Sequence, residues 1–285
     1  MTAVLASLAS AAFYGAADFV GGLASRRAHT LSVVALAQLS GLVALGLVLP
    51  FLPASTPTDR DWIWGAAAGI TGGIGVALLY RALAIGSMAV VAPITAVCAV
   101  VVPVAASIAL GERLGTATLS GIALAIVAIV LVSRQKAPDD RANVERSVRR
   151  RAVATAFGSG VAIGLFFLSL AQTRADAGMW PLVAARGLSS SMFVALAFAA
   201  HGTLRMPARI GATVIAGGVL DVLANVLYLL ASRYGPLSIV VTLSSLYPAS
   251  TVLLARFVLG ERLSASQTVG VVCALAAVML IVGTR

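Results

Sequence analysis

The sequence predicts an all-α integral membrane protein of about ten transmembrane helices in two inverted five-helix repeats. Three observations carry this prediction. The 285 residues are 60% hydrophobic and only 11% charged, well above the roughly 45–50% apolar usage of soluble domains. The apolar residues fall into runs of about 20, the length needed to cross roughly 30 Å of hydrocarbon. A five-residue motif, Leu110-Gly111-Glu112-Arg113-Leu114, recurs unchanged as Leu259-Gly260-Glu261-Arg262-Leu263 at an offset of 149.

Runs of sufficient length, closed by charge, Pro or Gly, predict helices over 3–24, 31–52, 62–84, 89–110 and 115–133 in the first half. The second half gives 152–172, 179–200, 209–232, 237–259 and 264–283. The first run has no basic segment before it and is too long for a signal-peptide core, so it reads as a membrane helix. Trp62, Trp64 and Trp180 fall near predicted helix starts, where an amphipathic ring prefers the headgroup region. Cys98 and Cys273 sit inside apolar runs without a second thiol or a His at ligand spacing, and read as small packing residues.

Between the fifth and sixth helices, 134–151 carries seven basic and three acidic residues. It divides the chain into a first repeat, 1–133, a basic linker and a second repeat, 152–285. The offset of 149 also pairs Gly15 with Gly164, Gly69 with Gly218, Gly86 with Gly235 and Gly121 with Gly270. Because five is odd, the second copy enters the bilayer from the side opposite the first. Such inverted repeats suit alternating access, in which one site between two similar halves opens to either face in turn. The net charge of +10 lies mostly in the gaps between helices, so it reads as a topology signal rather than a nucleic-acid surface. Arg26, Arg27, the linker, Arg205 and Arg209 share one face, which the positive-inside rule places in the cytoplasm with both termini outside.

Ionisable groups within membrane helices are costly and mark functional positions by default. Asp18, Arg186 and Asp221 qualify. Arg186 lies about seven residues into helix seven and Asp221 about eleven from the end of helix eight. At about 1.5 Å per residue their depths differ by roughly 6 Å, within range of an ion pair. That pair reads either as a structural link or as an anion site at Arg186 in competition with Asp221. Asp221, Asn225 and Tyr228 follow i, i+4, i+7 spacing and form one polar helix face. Tyr14 and Asp18 share a face of the first helix with Ser7 and Ser25. Asp18 reads either as a protonatable coupling residue or as a carboxylate reaching water or Arg26 and Arg27. Gln38, Ser244, Ser245 and Tyr247 are candidate cavity-lining groups, whereas Arg81, Arg233 and Arg256 read as interface anchors. Glu112 and Glu261, in the repeated turn, are expected at the positive N-terminus of the helix that follows each of them.

The paired Gly-Glu-Arg-Leu turns, Leu246-Tyr247-Pro248 ending twelve residues before Gly260, the first-helix stretch Tyr14-Gly15-Ala16-Ala17-Asp18-Phe19-Val20 and Arg186 together resemble the EamA-type permeases of the drug/metabolite transporter superfamily. The first half departs from this pattern, with Ala99 opposite Pro248 and Gln38 near the place of a first-repeat Arg. The resemblance implies a carrier of small metabolites, with export the expected direction and uptake the alternative. No phosphate-binding Gly-x-x-x-x-Gly-Lys-[Ser/Thr] loop occurs, so a secondary carrier is expected, with a proton the candidate coupling ion. No Ser-His, Cys-His or His-x-x-x-His arrangement supports an enzyme, and no cofactor or metal is expected. The expected partners are the lipid bilayer of a cell membrane, a small-molecule substrate and protons, with a monomer compatible with two repeats in one chain. A receptor or assembly subunit is the competing class.

Overall fold

The computed structural model describes residues 2–109, 115–133, 142–201, 203–234, 240, 243–244 and 246–282. Ten α-helices are found among them: α1 Thr2–Ser25, α2 Thr30–Val48, α3 Asp59–Ile85, α4 Met88–Ala109, α5 Thr116–Ser133, α6 Ala142–Ala171, α7 Trp180–His201, α8 Ala208–Tyr234, α9 Tyr247–Leu259 and α10 Ala265–Val282. Six segments, in α1, α2 with its 3₁₀ extension, α3, α6, α7 and α8, are long and apolar enough to cross a membrane. The apolar stretches described in α4, α5, α9 and α10 are shorter. The first Leu-Gly-Glu-Arg-Leu turn, Ser245 and Gly235 lie outside the described residues.

Two boundaries differ from the predicted ones. Helix α6 begins at Ala142, ten residues before the apolar run, so the second part of the basic linker is helical. Hydropathy measures what can sit in lipid, and a helix can extend into water beyond that limit. The ninth helix is not continuous over 237–259. Val240, Leu243 and Ser244 are helical, Leu246 is a turn residue, and α9 starts afresh at Tyr247 with Pro248 in its first turn. A Pro disfavours the α conformation in the residue before it and has no N–H to donate, so it suits a helix start.

Small residues fill the interior and large apolar ones cover the outside. The buried set is dominated by Ala and Val, while Leu47, Phe51, Ile63, Phe257 and Val272 are exposed. This is the distribution expected of helices that approach closely inside lipid. Helix α3 shows the reason: a Cβ on Gly65 would lie 2.6 Å from the Pro181 carbonyl oxygen, and one on Gly69 2.5 Å from that of Ala185. Gly69→Val, which forces backbone rather than a flexible side chain to move, is expected to lower stability by about 1–3 kcal/mol or more. A thermal-unfolding midpoint in detergent equal to wild type would refute this.

Positions 149 apart occupy matching places. Gly15 of α1 packs on the backbone of α9 at Tyr247 and Thr251, and Gly164 of α6 packs on α4 at Ala99 and Val102. Ser10 Oγ donates to the Ala224 carbonyl at 2.8 Å, and Ser159 Oγ to the Gly75 carbonyl at 2.8 Å. Ser244 Oγ donates to the Ser7 carbonyl at 3.5 Å, and Thr95 Oγ1 to the Ala156 carbonyl at 3.2 Å. In each couple both donor and acceptor are shifted by 149, and every bond joins one half of the chain to the other.

In the first turn of α3, Asp61 is fully buried. Its carboxylate accepts from Thr58 N at 2.8 Å, Thr58 Oγ1 at 2.7 Å and Arg174 N at 2.8 Å. The Trp62 and Trp180 rings lie 5.7 Å apart nearby. Thr58-x-x-Asp61 has the form of a capping box, a polar start signal that precedes the apolar run and so falls before the predicted start at 62.

Candidate functional site

Three helices bring one polar cluster together. Arg186 of α7 donates from Nη1 to Gln38 Oε1 of α2 at 3.0 Å, and its Nη2 forms an ion pair with Asp221 Oδ2 of α8. Asn225, one turn on, donates to the Asp221 carbonyl at 2.7 Å and reaches Asp221 Oδ2 at 3.4 Å. The guanidinium is therefore held by two acceptors on two helices. Space for it exists because residue 41 is glycine: a Cβ there would lie 2.7 Å from Arg186 Nη1. Gln38 is buried, while the Arg186 and Asp221 side chains are 11% and 27% exposed. The pair is thus mostly buried, with Asp221 the more exposed of the two charges.

A second group of polar side chains lies where α1 packs on α9. Tyr14 and Tyr247 meet edge to face with ring centroids 6.3 Å apart. Tyr14 is within electrostatic reach of Arg186, Tyr228 and Asp18. Asp18 lies one turn beyond Tyr14, partly accessible though deep in the protein, and within electrostatic reach of Tyr80 and Tyr247 as well. It makes no hydrogen bond or ion pair among the described residues. Ser25 Oγ, on the same helix face, is buried and has no hydrogen-bond partner among the described residues. Tyr247 is the first residue of α9, and its ring meets α1 there.

Of the residues read from the sequence, Tyr14, Asp18, Gln38, Arg186, Asp221, Asn225, Tyr228 and Tyr247 are brought together. Ser244 is not. It is buried and donates to α1, and its counterpart Thr95 does the same elsewhere, so both fasten helices. Ser7 donates to Ala3 within its own helix at 2.8 Å. Tyr80 of α3 escapes the sequence reading. It is buried against Gly21 of α1, and a lone Tyr late in an apolar run carries no periodic signal. The one hint is scarcity: the chain has five tyrosines, and four of them are here.

Glu261 corrects another expectation. It does not serve the helix that follows it, α10, but caps α4 in the other half of the chain. Ser87 Oγ donates to Oε2 at 2.8 Å, Ala89 N to Oε2 at 3.1 Å and Met88 N to Oε1 at 3.2 Å. Arg26, at the end of α1, completes the arrangement at 3.4 Å and also donates to the carbonyls of Leu83 and Gly86. A carboxylate accepting the free N–H groups of a helix start meets both their hydrogen-bonding need and the positive end of the helix dipole. Gly86 lies against Ala152 of α6, which fixes this assembly at the face where the linker emerges.

A solved crystal structure, described as that of a protein, is similar along 99% of both chains at 16% identity, with a TM-score of 0.61. That likeness concerns the fold. No curated protein gives a significant match. The model of the EamA-like transporter family matches residues 1–134 and 150–283. With both halves of the chain matched and six helices long and apolar enough to cross a membrane, the protein is a multi-pass membrane protein that belongs to the EamA-like transporter family.

Proposed function

We propose that the chain is a secondary active carrier of small metabolites that works by alternating access, with export its direction. The observation that carries this reading is the cross-half pairing of matching hydrogen bonds and glycine contacts around one polar, partly accessible cluster. Two halves built as inverted repeats, 1–133 and 152–285, can exchange conformations while the residues between them keep hold of one solute. Tyr14, Gln38, Asp221, Asn225, Tyr228 and Tyr247 line its path, and Arg186 organises the wall it lies in. The bilayer and the solute are its partners, and one chain suffices as the working unit.

In this reading Glu261 and Arg26 close the linker face, which the basic residues place in the cytoplasm. Coupling is to protons through Asp18, which lies one turn from Tyr14 on the same face of α1. The test is flux of a solute panel into proteoliposomes with and without an imposed proton gradient. Gradient-accelerated flux is expected for wild type and its loss for Asp18→Asn. Full gradient-driven flux in that variant would remove the coupling role, and absence of flux for every solute would remove the transport reading.

A further inference from the structure

We propose that the linker-face end of α6 is a binding site for the phosphate of an anionic phospholipid, whose acyl chains lie along the same helix face toward the bilayer centre. The inference rests on membrane residence alone and is independent of which solute the chain moves.

Helix α6 begins ten residues before its apolar run, and this extension, 142–151, holds four arginines and one acidic residue, Glu145. A topology signal needs basic residues on one side of the bilayer but places no demand on which way they face. Here Arg146, Ser147, Arg150 and Arg151 line one open concavity of about 250 Å³. Their spacing of i, i+1, i+4 and i+5 confines them to about 140° of the helix surface. The other side of the helix is the one that packs: Ala152 and Ala156 are buried, with Ala152 against Gly86. The fourth arginine, Arg149, is half-buried toward that packed side. Arg146, Arg150 and Arg151 are exposed, and their guanidinium groups make no hydrogen bond or ion pair among the described residues. Three like charges are thus gathered on a surface turned away from the bundle.

Depth and chemistry name the occupant. Arg151 directly precedes the apolar run, and the five residues of helix from Arg146 to Arg151 rise about 7.5 Å. The headgroup layer on each side of the hydrocarbon core is roughly 5–7.5 Å deep, so these positions span the layer in which lipid phosphates sit. Planar guanidinium forks match phosphate oxygens with paired, charge-assisted hydrogen bonds, and Ser147 adds a hydroxyl. Toward the bilayer centre the same face turns apolar. Ala154 and Phe157 follow Arg150 at i+4 and i+7 and are exposed, as is Leu165 further along. A cationic concavity continuous with an exposed apolar strip fits a charged head that carries hydrocarbon chains. A free phosphate would use only the first part.

The test titrates the purified full-length protein in detergent with phosphatidylglycerol, phosphatidylcholine of the same chain length, and glycerol phosphate, which has the phosphate without the chains. Bound molecules are counted by native mass spectrometry. Phosphatidylglycerol is expected to bind at least about tenfold more tightly than either of the others, since each basic residue at an anionic lipid surface adds attraction. The triple variant Arg146→Gln, Arg150→Gln, Arg151→Gln should lose this preference. A charge-matched triple variant on the same face, Arg27→Gln, Arg205→Gln, Arg209→Gln, should keep it. All six side chains are exposed, and equal thermal unfolding midpoints in phosphatidylcholine serve as the folding control. Arg146→Lys, Arg150→Lys, Arg151→Lys keeps the charge without the fork and should retain part of the preference. This variant carries the comparison with wild type if the glutamine variant fails to fold, and a preference equal to wild type then counts against the arginine site. Equal loss in the two glutamine variants shows diffuse surface charge and overturns the site. Glycerol phosphate bound as tightly as phosphatidylglycerol overturns the lipid as occupant, and absence of any preference in the wild type overturns the inference whole.

Discussion

Asp221→Ala is expected to leave Arg186 as a buried cation with Gln38 as its remaining acceptor, and to destabilise the protein by about 3–5 kcal/mol. The pair is not expected to be irreplaceable for folding. Its desolvation cost offsets much of its attraction, so the double change Arg186→Met with Asp221→Leu should unfold much closer to wild type than either single truncation. The same double variant should lose transport, since the wall of the site becomes apolar. Arg186→Lys should fall between, because one ammonium cannot reproduce the planar fork that reaches both Asp221 and Gln38. Thermal unfolding in detergent and proteoliposome flux check the series. If Asp221→Ala proves as stable as the double variant, the pair does not hold these helices.

Glu261→Ala should open the face at which the linker emerges. Four groups donate to this carboxylate, three of them at the start of α4 and one from Arg26. Hydrogen bonds to a charged group contribute about 1.5–3 kcal/mol, and at 17% exposure solvent screens part of this. A reporter position lies beneath the contact at Ser25, which is buried, small and unpaired. With Cys98 and Cys273 replaced by Ala, Ser25→Cys should react about tenfold faster or more with a membrane-impermeant maleimide once Glu261 is Ala, equivalent to about 1.4 kcal/mol per tenfold. Glu261→Gln keeps one acceptor oxygen and should give a smaller increase. An unchanged reaction rate would show that Glu261 does not control access at this face.

Helices are legible locally, because a run of about 20 apolar residues is rare in a chain unless it crosses hydrocarbon. Arg186 and Asp221 can be matched as partners because depth along two antiparallel helices can be counted. The break in the ninth segment is also written in the sequence, at Leu246-Tyr247-Pro248, but hydropathy is continuous across it and hides the interruption. The role of Glu261 cannot be read locally at all. The nearest helix in sequence is α10, and only the packed bundle brings Met88 and Ala89, more than 170 positions away, to its carboxylate. Tyr80 fails for the same reason, since its place beside Asp18 is set by how Gly21 lets α3 approach α1.

The matching bonds of Ser10 to Ala224 and Ser159 to Gly75 have a consequence for how the protein is made. The first helix of each half finds its seat in the opposite half. For α1, that seat is α8 and α9, more than 200 residues further along the chain. During synthesis α3 can pack on α1 at Gly21 and Gly22, but the face that carries Ser10 and Gly15 stays without its partner until nearly the whole chain has been inserted. Its mate α6 meets α3 and α4 as soon as it emerges. Two halves of common design thus mature on different schedules, and a chain truncated before α8 would leave the Ser10 face of α1 without its partner.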